Sequence, residues 1–150
     1  MSTREYPARP MVGIGIIVLR PDSVLLIRRG RPPRAGEWSL PGGAQHLGET
    51  AEAAARRELA EETGLTVGAL HLVGHADSLH HDAEGRVLYH YTILDFAALW
   101  TGGEPVAGDD AGEAAFVPFA ALPAYRLWGE MERMIIAARA KLLGGAEILR

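Results

Sequence analysis

Two apolar runs near the start of the chain predict a pair of strands. They occupy residues 12–19 and 24–27 and are separated by the turn-forming sequence Pro21-Asp22-Ser23. Short β-branched runs on either side of such a turn are typical of a β-hairpin. Residues 1–10 are polar and contain two prolines, which predicts a mobile or loosely docked leader.

Helical spacing is clearest in residues 50–63. Thr50 is a suitable N-cap, the alanines after it are strong helix formers, and Gly64 stands where a glycine commonly ends a helix. Residues 130–143 carry apolar side chains at helical spacing and predict a second, amphipathic helix. Further strands are predicted over residues 38–40, 70–76, 87–99 and 114–119, with a break at 41–43 and a glycine and aspartate loop over 102–112.

The order of these elements predicts the fold class. Two strands, a loop, a helix, several strands and a final helix are typical of an α/β sandwich, in which a mixed β-sheet is packed between helices. The chain has 150 residues and shows no repeat or low-complexity tract, so we expect a single domain over residues 1–150.

Composition narrows the classes of function. The chain has no cysteine, which excludes disulfides, thiolate metal sites and a cysteine nucleophile and suits a reducing compartment. No apolar run approaches the roughly 18 residues needed to cross a bilayer, so we expect a cytoplasmic protein without membrane association. The formal net charge of −4 argues against a general nucleic-acid binder.

Charged residues nevertheless form two local clusters. The basic one contains Arg28, Arg29, Arg31 and Arg34, and the acidic one contains Glu49, Glu52, Glu58, Glu61 and Glu62. Neighbouring clusters of opposite sign suit a phosphate substrate that binds together with a divalent cation. Charge alone favours the simpler interpretation that both clusters are ordinary solvated surface.

Three glutamates near the end of the first helix need an explanation. Glu58 and Glu62 project from one side of the helix, and Glu61 lies beside Glu58. Like charges four residues apart cost a few tenths of a kcal/mol, and the helix dipole also disfavours negative charge at this end. A bound Mg²⁺ would remove the penalty, since it prefers oxygen ligands from one or two carboxylates, water and phosphate. A solvated, glutamate-rich helix is the alternative.

The spacing around these glutamates forms a longer motif. Gly43 is followed after five residues by Glu49, and after seven more by the sequence Arg57-Glu58-Leu59-Ala60-Glu61-Glu62-Thr63-Gly64-Leu65. This arrangement matches the signature of the MutT/Nudix hydrolases at every specified position. The chain resembles that family over roughly residues 10–143. The resemblance implies the Nudix α/β/α sandwich and hydrolysis of a diphosphate linkage that depends on Mg²⁺ or Mn²⁺.

The resemblance also implies roles for individual residues. Glu58 and Glu62 would be the main metal ligands, with Glu61 adding a carboxylate directly or through water and the Gly42 carbonyl completing the site. Arg57 and Glu49 would form the ion pair that fixes the helix against its preceding loop.

A carboxylate would assist the water that attacks phosphorus, and its identity stays open. Glu58 and Glu61 are candidates, and family members often use an acid from a later loop instead. Asp109, Asp110 and Glu113 lie in such a loop here. The alternative for these three residues is an ordinary polar turn.

Contacts with the substrate are predicted near the second strand. Arg28 and Arg34 are candidates to clamp phosphates, because arginine binds phosphate through two parallel hydrogen bonds. Trp38 either stacks on a base or packs in the core, and packing is the favoured alternative. The six histidines show no zinc-binding spacing and are expected to be structural or solvated.

Several functions remain open at this point. The loop over residues 28–43 resembles ADP-ribose pyrophosphatases, so a nucleoside diphosphate linked to another group is the favoured substrate. A nucleoside triphosphate pyrophosphohydrolase is the first alternative. From other classes, a non-catalytic nucleotide sensor and an interaction protein with a glutamate-rich helix are considered. Family habit suggests a homodimer.

Overall fold

The computed structural model describes residues 4–30, 34–108 and 110–144. Within these ranges the chain forms seven strands, two α-helices and one 3₁₀ helix. In chain order these are β1 (Met11–Arg20), β2 (Ser23–Arg29), β3 (Trp38–Ser39), β4 (Gly42–Ala44), α1 (Ala51–Thr63), β5 (His71–His81), β6 (Val87–Leu99), β7 (Ala111–Pro118), the 3₁₀ helix (Phe119–Tyr125) and α2 (Gly129–Leu143).

The strands form one mixed sheet around β1. β1 pairs in parallel with β6 and antiparallel with β2, so the predicted hairpin is confirmed. β4 pairs antiparallel with the first half of β1, at the positions where the sequence predicts a break. The predicted strand over 38–40 does end before Pro41, but β4 was not predicted. Its glycines allow a close approach to the β1 backbone, since a Cβ on Gly42 would collide with the Ile14 carbonyl.

Alternate residues of β1 face two separate apolar layers, as the twofold repeat of a strand requires. Ile17 and Leu19 pack with residues of α2, whereas Ile16 and Val18 pack with residues of α1. The sheet is therefore covered by one helix on each face, which confirms the predicted α/β/α sandwich. None of the described helices is long and apolar enough to cross a membrane.

Helix α1 begins and ends where the sequence predicts. The Thr50 hydroxyl accepts a hydrogen bond from the Ala53 N–H at 3.0 Å, and Gly64 adopts the left-handed conformation with φ of 73°. Since Gly64 has no Cβ, it ends the helix without strain.

Other predicted boundaries differ from the structure. The strand predicted over 70–76 extends to His81, because its later residues pair with β6 in a long hairpin. The strand predicted over 114–119 begins at Ala111, and the 3₁₀ helix after it was not predicted. In the described part of the leader, the Tyr6 N–H donates to the Leu88 carbonyl at 2.9 Å, so the leader is docked at this point.

Candidate active site

The glycines of β4 bring backbone directly against the carboxylates of α1. The Gly42 N–H donates to Oε1 of Glu62 at 2.7 Å. A Cβ on Gly43 would lie 2.5 Å from Oε1 of Glu58, which is closer than real contacts allow. Two of the predicted metal ligands therefore lie beside β4, and the absence of a side chain at Gly43 makes the approach of Glu58 possible.

The environment of Glu62 disfavours its ionised form. Its burial raises the pKa to about 7, and the negative charges of Glu58 and Asp110 push it in the same direction. The Gly42 N–H and the positive charge of Arg29 oppose the shift. A half-buried carboxyl surrounded by other carboxylates is an environment that a bound cation would stabilise.

Arg57 holds α1 against the loop that precedes it. Its Nε donates to Oε2 of Glu49 at 2.6 Å, and its Nη2 donates to Oε1 of Glu49 and to the Ala44 carbonyl, both at 3.0 Å. The two hydrogen bonds from Arg57 to Glu49, together with one from the His46 N–H, lower the pKa of Glu49 to about 2. The same contacts raise the pKa of Arg57.

The remaining nitrogen of Arg57 faces the other glutamates. Nη1 lies 2.7 Å from Oε1 of Glu58 and 3.2 Å from Oε1 of Glu61. In the described ranges, no three acidic or histidine side chains are positioned to enclose an ion as they stand. Because Arg57 already engages Glu58 and Glu61, these two carboxylates would have to turn toward Glu62 to share a cation with it.

The residues present fit a hard divalent cation. The cluster offers carboxylate oxygens, and the backbone beside it carries no side chain at Gly43 that would fill the space. Mg²⁺ is usually held by such a set, with the remaining positions left to water and phosphate. The packing of the Glu58 and Glu62 carboxylates against β4 favours a cation here, and burial raises the pKa of Glu62 in agreement with it.

The loop before β7 docks onto the end of α1. The Val106 and Gly108 N–H groups donate to the carbonyls of Thr63 and Glu62 at 2.9 and 3.0 Å. A Cβ on Gly108 would collide with the Glu61 carbonyl, so a glycine is needed for this contact. The docking brings Asp110 close enough to Glu62 to affect its pKa.

The other acidic candidates in this region are placed differently. Glu113 forms an ion pair with Arg28 at 3.1 Å, across the β2–β7 pairing. Asp109 lies outside the described residues. Of the three loop acids proposed from the sequence, Asp110 is therefore the one that the described structure brings to the carboxylate cluster.

The basic and aromatic candidates are dispersed. Arg34 is exposed, in a turn where its φ is 65°. The ring of Trp38 packs edge-on against Tyr125 with centroids 5.1 Å apart, beside the apolar layer under α2. This contact favours the packing alternative for Trp38. Arg31 lies outside the described residues.

The sequence analysis named Arg29 as a member of the basic cluster and gave it no role, yet its charge acts on Glu62. The sequence shows four nearby arginines but not which of them faces α1. The pairing of β2 with β7 shifts register between Arg28 and Arg29, and such an irregularity changes where the side chains beside it point.

A recess beside β4 contains polar groups that the sequence analysis also missed. Its lining includes Gly13, Gly15, Gly42, Tyr91, Asp95 and Trp128. Asp95 is 4% exposed, and burial raises its pKa to about 6. A sequence signal was available, since Asp95 is the one acidic residue in the apolar strand β6, and a buried charge is informative.

Comparison with known proteins identifies the family. The model of the NUDIX domain matches residues 9–137, and the chain belongs to this family. It is similar to the structure of a MutT NUDIX hydrolase from Burkholderia pseudomallei, with 31% identity and a TM-score of 0.71. That similarity covers 85% of this chain and 96% of the other.

Two curated relatives carry names of particular activities. An ADP-ribose pyrophosphatase of Methanocaldococcus jannaschii is 41% identical over 114 residues, which cover 76% of this chain and 65% of the relative. A putative 8-oxo-dGTP diphosphatase 2 of Mycobacterium tuberculosis is 43% identical over 96 residues, which cover 61% of this chain and 62% of the relative. The chain thus spans less than two thirds of the length of either relative.

Proposed function

We propose that this chain is a metal-dependent hydrolase that cleaves the diphosphate linkage of a nucleoside diphosphate joined to another group, with ADP-ribose as the favoured example. The observation that carries the proposal is the packing of Glu58 and Glu62 against the β4 glycines, with Arg57 anchored by Glu49. The similarity to an ADP-ribose pyrophosphatase supports the choice of substrate.

Mg²⁺ or Mn²⁺ is the proposed cofactor. Glu58 and Glu62 would hold it, with Glu61 contributing directly or through water and the Gly42 carbonyl completing the set. When bound, such an ion polarises phosphoryl oxygens and lowers the pKa of water. The family is generally dependent on divalent metals, which agrees with the oxygen-rich donors present here.

The protein's own residues have distinct proposed tasks. Water attacks one phosphorus, and the bridging P–O bond breaks so that ADP-ribose yields AMP and ribose 5-phosphate. Glu58, Glu61 or Asp110 would accept the proton of that water. Arg57 and Glu49 would act by holding α1 in place, so they are positioning residues. Arg28 and Arg34 stay candidates for phosphate contacts, and Arg28 uses its Nη2 to pair with Glu113.

A second candidate function is a nucleoside triphosphate pyrophosphohydrolase. The similarity to a putative 8-oxo-dGTP diphosphatase favours it. A non-catalytic nucleotide sensor is a weaker candidate, because the complete arginine and glutamate set of the signature is retained. A cytoplasmic location, a homodimer and the absence of nucleic-acid binding remain predictions.

A substrate panel tests the proposal. ADP-ribose, 8-oxo-dGTP and GTP are incubated with the protein and Mg²⁺, with and without a chelator, and phosphate-containing products are measured. We expect ADP-ribose to be consumed fastest and the chelator to abolish turnover. Consumption of a triphosphate with ADP-ribose left intact would favour the second candidate, and no turnover of any substrate would refute both.

A further inference from the structure

The recess beside β4 contains two polar groups without partners. No protein group in the described residues donates a hydrogen bond to the Asp95 carboxyl, although this residue is only 4% exposed. The Tyr91 hydroxyl is also buried without a hydrogen-bond partner. Buried polar groups are almost always satisfied, so these two indicate a ligand that supplies the missing contacts.

The floor of the recess is made of backbone. In the parallel β1–β6 pairing, Gly13 lies opposite Ile93 and Gly15 lies opposite Asp95. A Cβ on Gly15 would collide with Oδ1 of Asp95. Glycine at residue 15 therefore gives the carboxyl its position and leaves space above the sheet.

The walls restrict what can enter. Leu40, Ile93 and Met131 are apolar lining residues, and Trp128, which is 40% exposed, lies at the start of α2. The backbone floor at Gly13 and Gly15 and the nearby ring of Trp128 suit a flat, ring-shaped group. Asp95 shares the lining with two other polar side chains, Arg4 and Tyr91, and its carboxyl is the acidic acceptor that the recess offers to that group.

The recess adjoins the proposed site of hydrolysis. Gly42 and Gly43 line it, and the same two residues contact Glu62 and Glu58. A substrate whose diphosphate lies at these glutamates can therefore extend one end over β4 into the recess. The charges of Arg133 and Glu130 act on Asp95 and form an ion pair with each other, and Arg4 also lines the recess.

We propose that Asp95 determines substrate specificity by accepting hydrogen bonds from two adjacent donors on the group that enters the recess. A carboxylate has two acceptor oxygens and binds paired donors well. Two parts of a nucleotide substrate have such pairs: the vicinal hydroxyls of a ribose, and the N1–H and N2 amino edge of guanine. This inference rests on the proposed function for the orientation of the substrate.

Ligand pairs that differ by one donor test it without requiring turnover. Calorimetry compares ribose 5-phosphate with 2-deoxyribose 5-phosphate, and GMP with IMP, for the wild type, Asp95→Asn and the control Asp77→Asn. Asp77 is an exposed aspartate of β5, outside the recess. In one of the two pairs, we expect the wild type and the control to bind the ligand that has both donors, ribose 5-phosphate or GMP, more tightly than its partner. The difference in affinity should be about tenfold or more, as for a hydrogen bond to a charged group.

In Asp95→Asn the preference should fall to within about threefold. The pair that discriminates identifies the donor: the sugar pair indicates ribose, and the purine pair indicates guanine. Equal binding within both pairs by the wild type, or a preference that Asp95→Asn retains, would overturn the proposal. A second variant, Gly15→Ala, keeps the acid but displaces it, and it should lose the same preference.

The two proposals fail separately. If the ligand pairs are discriminated but no substrate of the panel is hydrolysed, the proposed function fails and the role of Asp95 stands as a binding role. If hydrolysis is found and Asp95→Asn leaves discrimination unchanged, only the role of Asp95 fails.

Discussion

Arg57 and Glu49 form a two-pronged ion pair, with Nε to Oε2 at 2.6 Å and Nη2 to Oε1 at 3.0 Å. The pair joins the middle of α1 to the loop that follows β4. Because Arg57 also faces Glu58 and Glu61, one guanidinium arranges three of the acidic side chains. A change at Arg57 should therefore act on the whole carboxylate cluster.

We expect Arg57→Lys to reduce kcat/KM about 10- to 100-fold, the usual effect of losing a residue that orients metal ligands. Lysine keeps the charge but cannot reproduce the planar, two-pronged contact with Glu49. Steady-state kinetics at several Mg²⁺ concentrations measure the effect. Arg56→Lys, a neighbouring change on α1, serves as the control, and equal activity of the two variants would contradict the prediction.

The ion pair also predicts a dependence of stability on pH. The pKa of Glu49 is lowered from 4.5 to about 2, so the folded state binds this proton less readily than the unfolded state. The stabilisation by Glu49 is present above pH 4.5 and is lost as the pH falls toward 2. Above this pH range Glu49→Gln should be less stable than the wild type. The difference in stability between the two proteins, measured by thermal unfolding, should shrink as the pH falls through the range.

Glu62→Gln should reduce activity at least about 100-fold, in line with the loss of a catalytic or metal-binding group. The matched control is Glu52→Gln, because Glu52 is exposed in the first turn of α1. Calorimetry with Mg²⁺ and kinetics are compared for both variants. Turnover like that of the wild type in Glu62→Gln would remove the basis for the metal site.

Gly43→Ala should disturb the site more than the fold as a whole. The new Cβ would meet the Glu58 carboxyl and push it away from β4. We expect a loss of Mg²⁺-dependent activity that exceeds the loss of Gly68→Ala, since a Cβ at Gly68 meets nothing within 4 Å. Similar activities of the two variants would show that the close approach of Glu58 is unimportant.

Asp95→Asn should stabilise the protein at alkaline pH. The pKa of Asp95 is raised from 3.8 to about 6, so ionisation of the buried acid opposes folding above that range. The gain should be on the order of 3 kcal/mol at most at pH 8 and should vanish below pH 4. Urea unfolding at both pH values checks this, and a variant less stable than the wild type at pH 8 would contradict it.

Much of the fold could be predicted because its signals are local. The caps of α1 and the hairpin of β1 and β2 depend on residues within a few positions of one another. β4 was missed because a strand of three residues, two of them glycine, has little propensity of its own and forms only by pairing with β1.

In the candidate site too, some features follow from local sequence and others from the tertiary structure. The spacing from Gly43 to Leu65 determined by itself that Glu58 and Glu62 share one side of a helix, since helical geometry sets that relationship. Only the tertiary structure decided that Arg29 rather than Arg28 acts on Glu62, and that Asp95 faces a recess floored by Gly13 and Gly15. These contacts join elements distant in the chain, and their geometry depends on strand register and on the packing of α1 against the sheet.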